Sequence, residues 1–514
     1  MPSDQISPVF RYAQFDIRAL CRISSSLRQD TPCTCDIDQY PASGSFNWAI
    51  FITFEDGVEW ILRSPHMGHG EMAIEIGSKL LASEAATLKY LNLNSDIPVP
   101  VVHSYSTTGH NDIGIPFILM SKAPGWPLER AWKSLGSEKP HMADDLKVKV
   151  LYQLGQITYK LSRLRFDCIG SLLEENGIFE VGECLSRGHV LNDRYSLEDV
   201  PRGPFHSNAE FFDSLVTSLI QHAEVLPLSH HCFVAPVPSP KDFQSNDQYR
   251  RACDLWNDFV AIGKKIDSSD NRLDYTVAAN ILQELITQWD SKLPKPDVQS
   301  FPLSHSDLSV NNIYVDDDYN ITRIIDWAFS STVPEAMMLA PPGLPQSRNE
   351  LDEDLVVSFK NGFKSSAETA LDLLQQSKVS WPLSRLLNFD SIDDYSLFAA
   401  VWDNAYGCER DMKAFFAEQR SLPSYTKLYS EVQLDDEPYQ RTQKSEQAYF
   451  RNNILRSSVA RKLTLVSQWK SQYMSSTQNS LRKGGELFVT NSRLWKWILE
   501  FQQEWEDMVT PTVN

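Results

Sequence analysis

The sequence predicts an α+β chain: a small antiparallel sheet with one main helix over about residues 1–121, then a large, mostly helical part over 122–514. Three observations carry this reading. An aromatic and β-branched hairpin occupies residues 46–63, apolar residues at helical spacing take over after about residue 140, and residues 303–327 read as polar loop, strand, acidic turn and strand.

The first part follows element by element. Residues 46–54 are aromatic and β-branched, Glu55-Asp56-Gly57 turns, and residues 58–63 return, which is a hairpin. Residues 79–93 then place Leu80, Leu81, Ala85, Leu88 and Leu91 at helical spacing, and Pro98 and Pro100 bar its continuation before a strand at Val101-Val102. A further strand over 115–120 runs into the breaker-rich connection Ser121-Lys122-Ala123-Pro124-Gly125. In the second part Leu146, Val150, Leu154, Ile157, Leu161 and Leu164 share one helical face, and Ile281, Leu282, Leu285 and Trp289 another. Residues 175–265 mix a helical stretch near Phe211 to Ile220 with a proline-rich run, the pattern of an elaborated insertion or linker. Helical segments continue from 350, where Trp402, Trp495, Trp497 and Trp505 read as packing residues.

Composition narrows the function classes. The chain has 514 residues, 42% hydrophobic, 22% charged and 11% aromatic, which supports a globular protein too long for one compact core. A net charge of −19 disfavours nucleic-acid or anionic-membrane binding and suits a neutral or cationic partner. The acidic runs 350–354, 390–394 and 435–437 read as solvated faces. Eight scattered cysteines suggest reduced thiols, and no apolar run reaches the roughly 18 residues that span a bilayer. A cytoplasmic location is expected, with the mitochondrion as the alternative because Arg11, Arg18, Arg22 and Arg28 lie among serines near the N-terminus. Nothing in the sequence specifies an oligomeric state.

The chemistry concentrates in Leu303 to Trp327. A hairpin between the polar loop and a terminal carboxylate brings Asp307 and Asn312 toward Asp326. Convergent carboxylate and amide oxygens suit magnesium, a hard cation that keeps waters and binds nucleotide phosphates. Asp307 is then left to orient an attacking hydroxyl, and the spacing H-x-D-L-x-x-x-N with a later strand-borne Asp matches a kinase catalytic loop.

With these residues the chain resembles the aminoglycoside-phosphotransferase family, which has a two-lobed protein-kinase-like fold. His305-x-Asp307 with Asn312, followed by Ile325-Asp326-Trp327, carries the likeness. Ser83-Glu84, Ile97-Pro-Val-Pro100, Ile169-Gly170-Ser171-Leu172, Arg202-Gly-Pro-Phe205 and Val333-Pro334 are similar to the large fungal members. The likeness runs over roughly residues 40–345. It implies ATP and Mg2+ as cofactors and a small-molecule hydroxyl as phosphate acceptor, with a phosphate ester as product or the hydroxyl activated for a later step. It further implies Asp307 as catalytic base, His305 as a buttress of the loop, and Asn312 and Asp326 as magnesium ligands. Glu84 is implied to orient a phosphate-binding cation, a place filled here by Arg63 instead of the family's lysine, and a guanidinium does not replicate a point-charge ammonium. Gly44 and Ser45 fall in the nucleotide-covering loop, which has one glycine where protein kinases have three, and adenine is expected against Met120 to Ala123. The atypical loop and Arg63 also admit a catalytically weak or inactive kinase-like binding protein. A protein kinase is disfavoured, because Pro334-Glu335 comes only eight residues after Asp326, leaving no room for an activation segment.

Overall fold

The computed structural model describes residues 7–44, 46–66, 74–132, 142–226, 269–293, 299–345, 350–365, 371–389 and 394–433. Ser45, the proline-rich run at 236–240, the acidic runs at 390–393 and 435–437, and Trp495, Trp497 and Trp505 lie outside the described residues.

The hairpin forms as β3 (Asn47–Phe54) and β4 (Glu59–Pro65), closed by Gly57 in the left-handed region at φ +82°. They sit within a six-stranded antiparallel sheet with β1 (Cys33–Thr34), β2 (Ala42–Ser43), β5 (Val102–Ser106) and β6 (Phe117–Ser121). Its order is β1-β3-β4-β6-β5, with β2 also on β3. Strand alternation separates the two faces. Trp48, Ile50, Ile52, Trp60, Leu62, Phe117 and Leu119 pack one way, against Ala19 and Leu20 of α1 (Ile17–Leu27). Ile118 and Met120 pack the other way, against Leu81, Ala85 and Leu88 of α2 (Ile74–Asn94).

Helix α2 is the one main helix expected for this sheet, and α1 is a second, shorter one that the sequence reading did not provide. Asp16 N-caps α1 through the Ala19 N–H at 2.9 Å. Two of the four arginines that suggested a targeting stretch make ion pairs in the sheet layer: Arg28 makes a bidentate pair with Asp56 at 2.7 and 2.6 Å, and Arg22 pairs with Asp112 at 2.9 Å. Among the described residues no helix is long and apolar enough to cross a membrane.

After β6, the short β7 (Trp126–Pro127) leads to α3 (Asp144–Ser162), where Val150, Leu154, Ile157 and Leu161 are buried as the spacing requires. Residues 165–225 are folded, and the helical stretch expected near Phe211 to Ile220 is there. They form β8 (Arg165–Phe166), a hairpin of β9 (Leu172–Glu175) and β10 (Ile178–Val181), α4 (Arg187–Val190) and α5 (Asn208–Val225). Arg202 gathers this stretch by donating to the carbonyls of His189, Arg194, Tyr195 and Leu197 at 2.8–3.0 Å. Helix α6 (Ser269–Ser291) buries Ile281, Leu282, Leu285 and Trp289 against Phe211, Phe212 and Leu215 of α5. Strand β11 (Phe301–Ser304) pairs with β8 and with β14 (Ser331–Thr332), while β12 (Ile313–Val315) pairs with β13 (Ile321–Ile324) and β7. Short α7 (Glu335–Met338) is followed by α8 (Glu353–Lys364), α9 (Leu371–Leu387), α10 (Asp394–Tyr406), α11 (Met412–Arg420) and α12 (Pro423–Gln433). Trp402 is buried in the same core as α6, as expected of a packing residue.

Candidate active site

The β12–β13 hairpin turns on Asp316, whose carboxylate accepts the N–H groups of Asp318 and Asn320 at 3.0 and 2.8 Å. That turn returns the chain to the loop that precedes β12. Ile325 N–H donates to the Asn312 carbonyl at 2.9 Å, and Ile324 N–H donates to Pro98 in the Ile97 to Pro100 segment at 2.8 Å.

His305 ends the space behind this loop. Its Nε2 donates to the Ile325 carbonyl at 3.0 Å, and its Nδ1 accepts the Asp307 N–H at 3.2 Å, which selects one neutral tautomer. Burial holds the imidazole below its ordinary pKa, despite the opposing hydrogen bond and the nearby carboxylates. The ring meets Trp327 edge-on at 4.5 Å. His305 therefore fastens the loop to the segment that bears Asp326.

Asn312 donates Nδ2 to the Asp307 carbonyl at 2.9 Å, which points its side-chain oxygen the other way. Asp326 stands at φ +67°, a left-handed conformation costing about 1 kcal/mol for a residue with a Cβ. Both oxygens are hard donors. They fit a magnesium ion that takes its remaining ligands from water and phosphate, and among the described residues no closed cage of three His, Cys, Asp or Glu side chains forms.

Arg63 points from β4 toward α2, the face opposite Leu62. Its guanidinium holds Glu84 with one nitrogen and Asp326 with another, and Glu84 also accepts the Trp327 N–H at 3.2 Å. Burial works to lower the Arg63 pKa, but the two carboxylates outweigh it and hold the guanidinium above its ordinary value. For Glu84, burial raises the pKa, Arg63 opposes this only partly, and the Asp326 carboxylate pushes further upward. Two carboxylates share one cation.

The structure thus brings together Arg63, Glu84, His305, Asp307, Asn312 and Asp326. Gly44 stands differently: its N–H closes a turn on the Asn47 carbonyl at 2.8 Å, and among the described residues no hydrogen bond joins it to the carboxylates. Its loop is nonetheless anchored near them, because Phe46 meets Phe329 edge-on at 5.4 Å. Met120 is buried on the α2 face of the sheet, opposite Ile61 and Val102 in register. Ala123 lies in the connection after β6, where Gly125 has φ +83° and a Cβ would come 2.2 Å from the Val315 carbonyl.

Arg187 was missed by sequence reasoning. From α4 it ion-pairs with the Asp307 carboxylate, 120 residues away in the chain. No local motif announces it, and only a long-range signal, such as its proximity to the Arg202-Gly-Pro-Phe205 segment that organises α4, points there.

The APH family model, described as a phosphotransferase enzyme family, matches residues 40–336, more than half of the chain. A subtelomeric hrmA-associated cluster protein of Aspergillus fumigatus is 26% identical over 323 residues, 59% of either chain. The altered inheritance of mitochondria protein 9 of Scheffersomyces stipitis is 23% identical over 295 residues, 53% of this chain and 44% of its own. This chain spans well under two thirds of the length of those relatives. Among solved structures, a macrolide 2′-phosphotransferase of Brachybacterium faecium has a TM-score of 0.35 at 13% identity, over 76% of this chain and 99% of its own. A putative fructosamine-3-kinase of Thermobifida fusca has a TM-score of 0.38 at 11% identity, over 75% and 98%. With the matched span enclosing the hairpin, the Arg63–Glu84 pair and the whole Leu303 to Trp327 segment, this chain belongs to the APH phosphotransferase enzyme family.

Proposed function

We propose that this protein is an ATP- and magnesium-dependent small-molecule kinase that transfers the γ-phosphate to a substrate hydroxyl. The nucleotide would lie between the sheet of residues 1–121 and the part formed by 122–514. The observation that carries the reading is the joining of Asp307, Asn312 and Asp326 through the Asn312–Asp307, Ile325–Asn312 and His305–Ile325 hydrogen bonds.

Each residue then has a task that its contacts suit. Asp307 orients the acceptor hydroxyl and takes up its proton as the oxygen attacks. His305, neutral and bonded at both nitrogens, keeps the Asp307 backbone in place rather than exchanging protons itself. Asn312 and Asp326 would hold magnesium, which supplies charge neutralisation on the phosphates when bound. Arg63, steadied by Glu84, is the phosphate-facing cation, and its guanidinium passes between carboxylate and phosphate without losing its charge. Gly44, Ser45, Met120 and Ala123 are assigned to nucleotide contacts. Cytoplasmic action is proposed, and the mitochondrial relative from Scheffersomyces stipitis supports the mitochondrial alternative; fractionation of a tagged protein decides between them.

Calorimetric titration with magnesium-ATP tests the reading. Wild type is expected to bind only with magnesium, and Asp326→Asn to bind about tenfold or more weakly, a loss of roughly 1.4 kcal/mol or more. A second reading, a kinase-like protein that binds without turnover, is favoured by one fact: Arg187 and Arg63 hold the two candidate catalytic carboxylates. Wild type that binds no magnesium-nucleotide would abandon the first reading for the second.

A further inference from the structure

His305 and Asn312 hold Asp307 by its backbone. His305 Nδ1 accepts the Asp307 N–H at 3.2 Å, and Asn312 Nδ2 donates to the Asp307 carbonyl at 2.9 Å; neither bond reaches the carboxylate. A carboxylate on Cβ turns about a broad, roughly twofold torsion, so a fixed backbone leaves open which of its oxygens faces an acceptor. Arg187 holds the carboxylate itself, its guanidinium donating to Asp307 Oδ1. With the two side chains 15% and 27% exposed, the pair is partly withdrawn from solvent, where charges are screened less than on the open surface.

The fold also fastens Arg187 to the loop that it contacts. Ser306, beside Asp307, donates Oγ to the Phe329 carbonyl at 2.8 Å. Ser171 donates Oγ to the neighbouring Ser330 carbonyl at 3.0 Å and accepts the N–H of Leu185, two residues before Arg187, at 3.0 Å. After Arg187, the Gly188 carbonyl accepts from Arg194 at 2.9 Å and from Ser218 Oγ at 3.0 Å. A path therefore runs from Ser306 through Phe329, Ser330, Ser171 and Leu185 to Arg187, and the ion pair with Asp307 closes it into a ring. Ser171 and Ser330 are buried, so a shift of α4 away from the loop would leave buried polar groups unpaired.

We infer that Arg187 is a positioning residue for phosphoryl transfer: by holding Asp307 Oδ1 it sets the plane of the carboxylate and makes Oδ2 the oxygen that receives the acceptor's proton. The inference rests on the kinase reading above and assigns an atom to its base. In the step, the acceptor oxygen forms a bond to the γ-phosphorus, the bond from that phosphorus to the bridging oxygen of the nucleotide breaks with ADP as leaving group, and the hydroxyl proton moves to Oδ2. Arg187 acts through Asp307 and takes no proton itself. A binding protein without turnover would use the same ion pair to block Asp307, so the two readings give opposite signs to its removal.

The test uses the full chain with magnesium-ATP, with water and, in parallel, glycerol as the hydroxyl acceptor. ADP release gives kcat and KM, and calorimetry gives nucleotide affinity. Arg187→Gln is expected to lower kcat about tenfold or more while KM for magnesium-ATP and the calorimetric affinity stay within about twofold, and Arg187→Lys to recover part of kcat. Urea unfolding without nucleotide of wild type, Arg187→Gln, Asp307→Asn and the double variant is expected to show losses that do not add, as for residues in direct contact. Should Arg187→Gln fail to fold, Arg187→Lys decides alone: it keeps the charge but not the planar fork, and is expected to lower kcat about threefold or more at unchanged nucleotide affinity. An unchanged or raised kcat in the variant that decides, a Lys variant no better than Gln, a matching loss of nucleotide affinity, or additive unfolding losses overturns the inference and leaves wild-type magnesium-ATP binding intact. Wild type that binds no magnesium-ATP, or binds it and releases no ADP, would instead overturn the kinase reading, and this inference with it.

Discussion

Arg63 and Asp307 show what single residues contribute at this site. Asp307→Asn keeps the size and the backbone bond from Asn312, but the amide takes no proton from the acceptor. Its kcat is expected to fall by about 10²–10⁴ with magnesium-ATP affinity changed only a few-fold, as followed by ADP release and calorimetry. Arg63 is 12% exposed and serves Glu84, itself 4% exposed, so its removal strands a buried carboxylate. Arg63→Ala is expected to destabilise the fold by about 3–5 kcal/mol, and Arg63→Lys by less, since an ammonium can keep one of the two pairs; urea unfolding measures both. At this scale the loop residues were legible because hydrogen bonds and metal sites impose fixed spacing on neighbours in the chain. Arg187 was not, because its partner lies 120 residues away and nothing beside it needs to change when it moves.

Helix packing carries the lessons at the scale of elements. The α3–α8 crossing is made close by two glycines: a Cβ on Gly155 would come 2.1 Å from the Phe359 carbonyl, and one on Gly362 1.9 Å from the Tyr152 carbonyl. Both contacts are to backbone, which has no rotamer to turn aside. Gly155→Ala and Gly362→Ala are each expected to cost about 1–3 kcal/mol, read as a lower denaturant midpoint at unchanged slope. Helix α3 itself was evident from the apolar spacing of Val150, Leu154, Ile157 and Leu161, whereas the meeting of Gly155 with Gly362 depends on which faces touch. Helix α1 was missed for a different reason. The arginines in and around it drew attention as a composition, and the pairing of Arg22 with Asp112 and of Arg28, just after the helix, with Asp56 becomes visible only when the sheet lies beneath them.

Acid sensitivity belongs to the molecule as a whole. His189 is fully buried, with Ser186 and Ser214 hydroxyls at 2.8 Å on its two nitrogens. Burial, with Arg202 and Arg194 adding to it, depresses its pKa from 6.5 to about 3. The folded state therefore keeps the ring neutral at pH values where the unfolded chain protonates it. This stabilisation is present above pH 6.5 and is lost as pH falls from there toward about 3, by at most about 1.4 kcal/mol per pH unit. Urea midpoints measured from about pH 7 to pH 4 are expected to fall less steeply in His189→Gln than in wild type.

By itself the sequence determined the sheet, the main helices and the family, and pointed to Asp307, Asn312 and Asp326 as a candidate set, because strand alternation, helical periodicity and catalytic-loop spacing are all properties of neighbours along the chain. Tertiary structure alone decided that Arg63 bridges Glu84 and Asp326, that α1 closes the far face of the sheet, and that α4 sets Arg187 against Asp307. Each of these joins residues tens to hundreds of positions apart, where burial and charge pairing, rather than local pattern, select the partner.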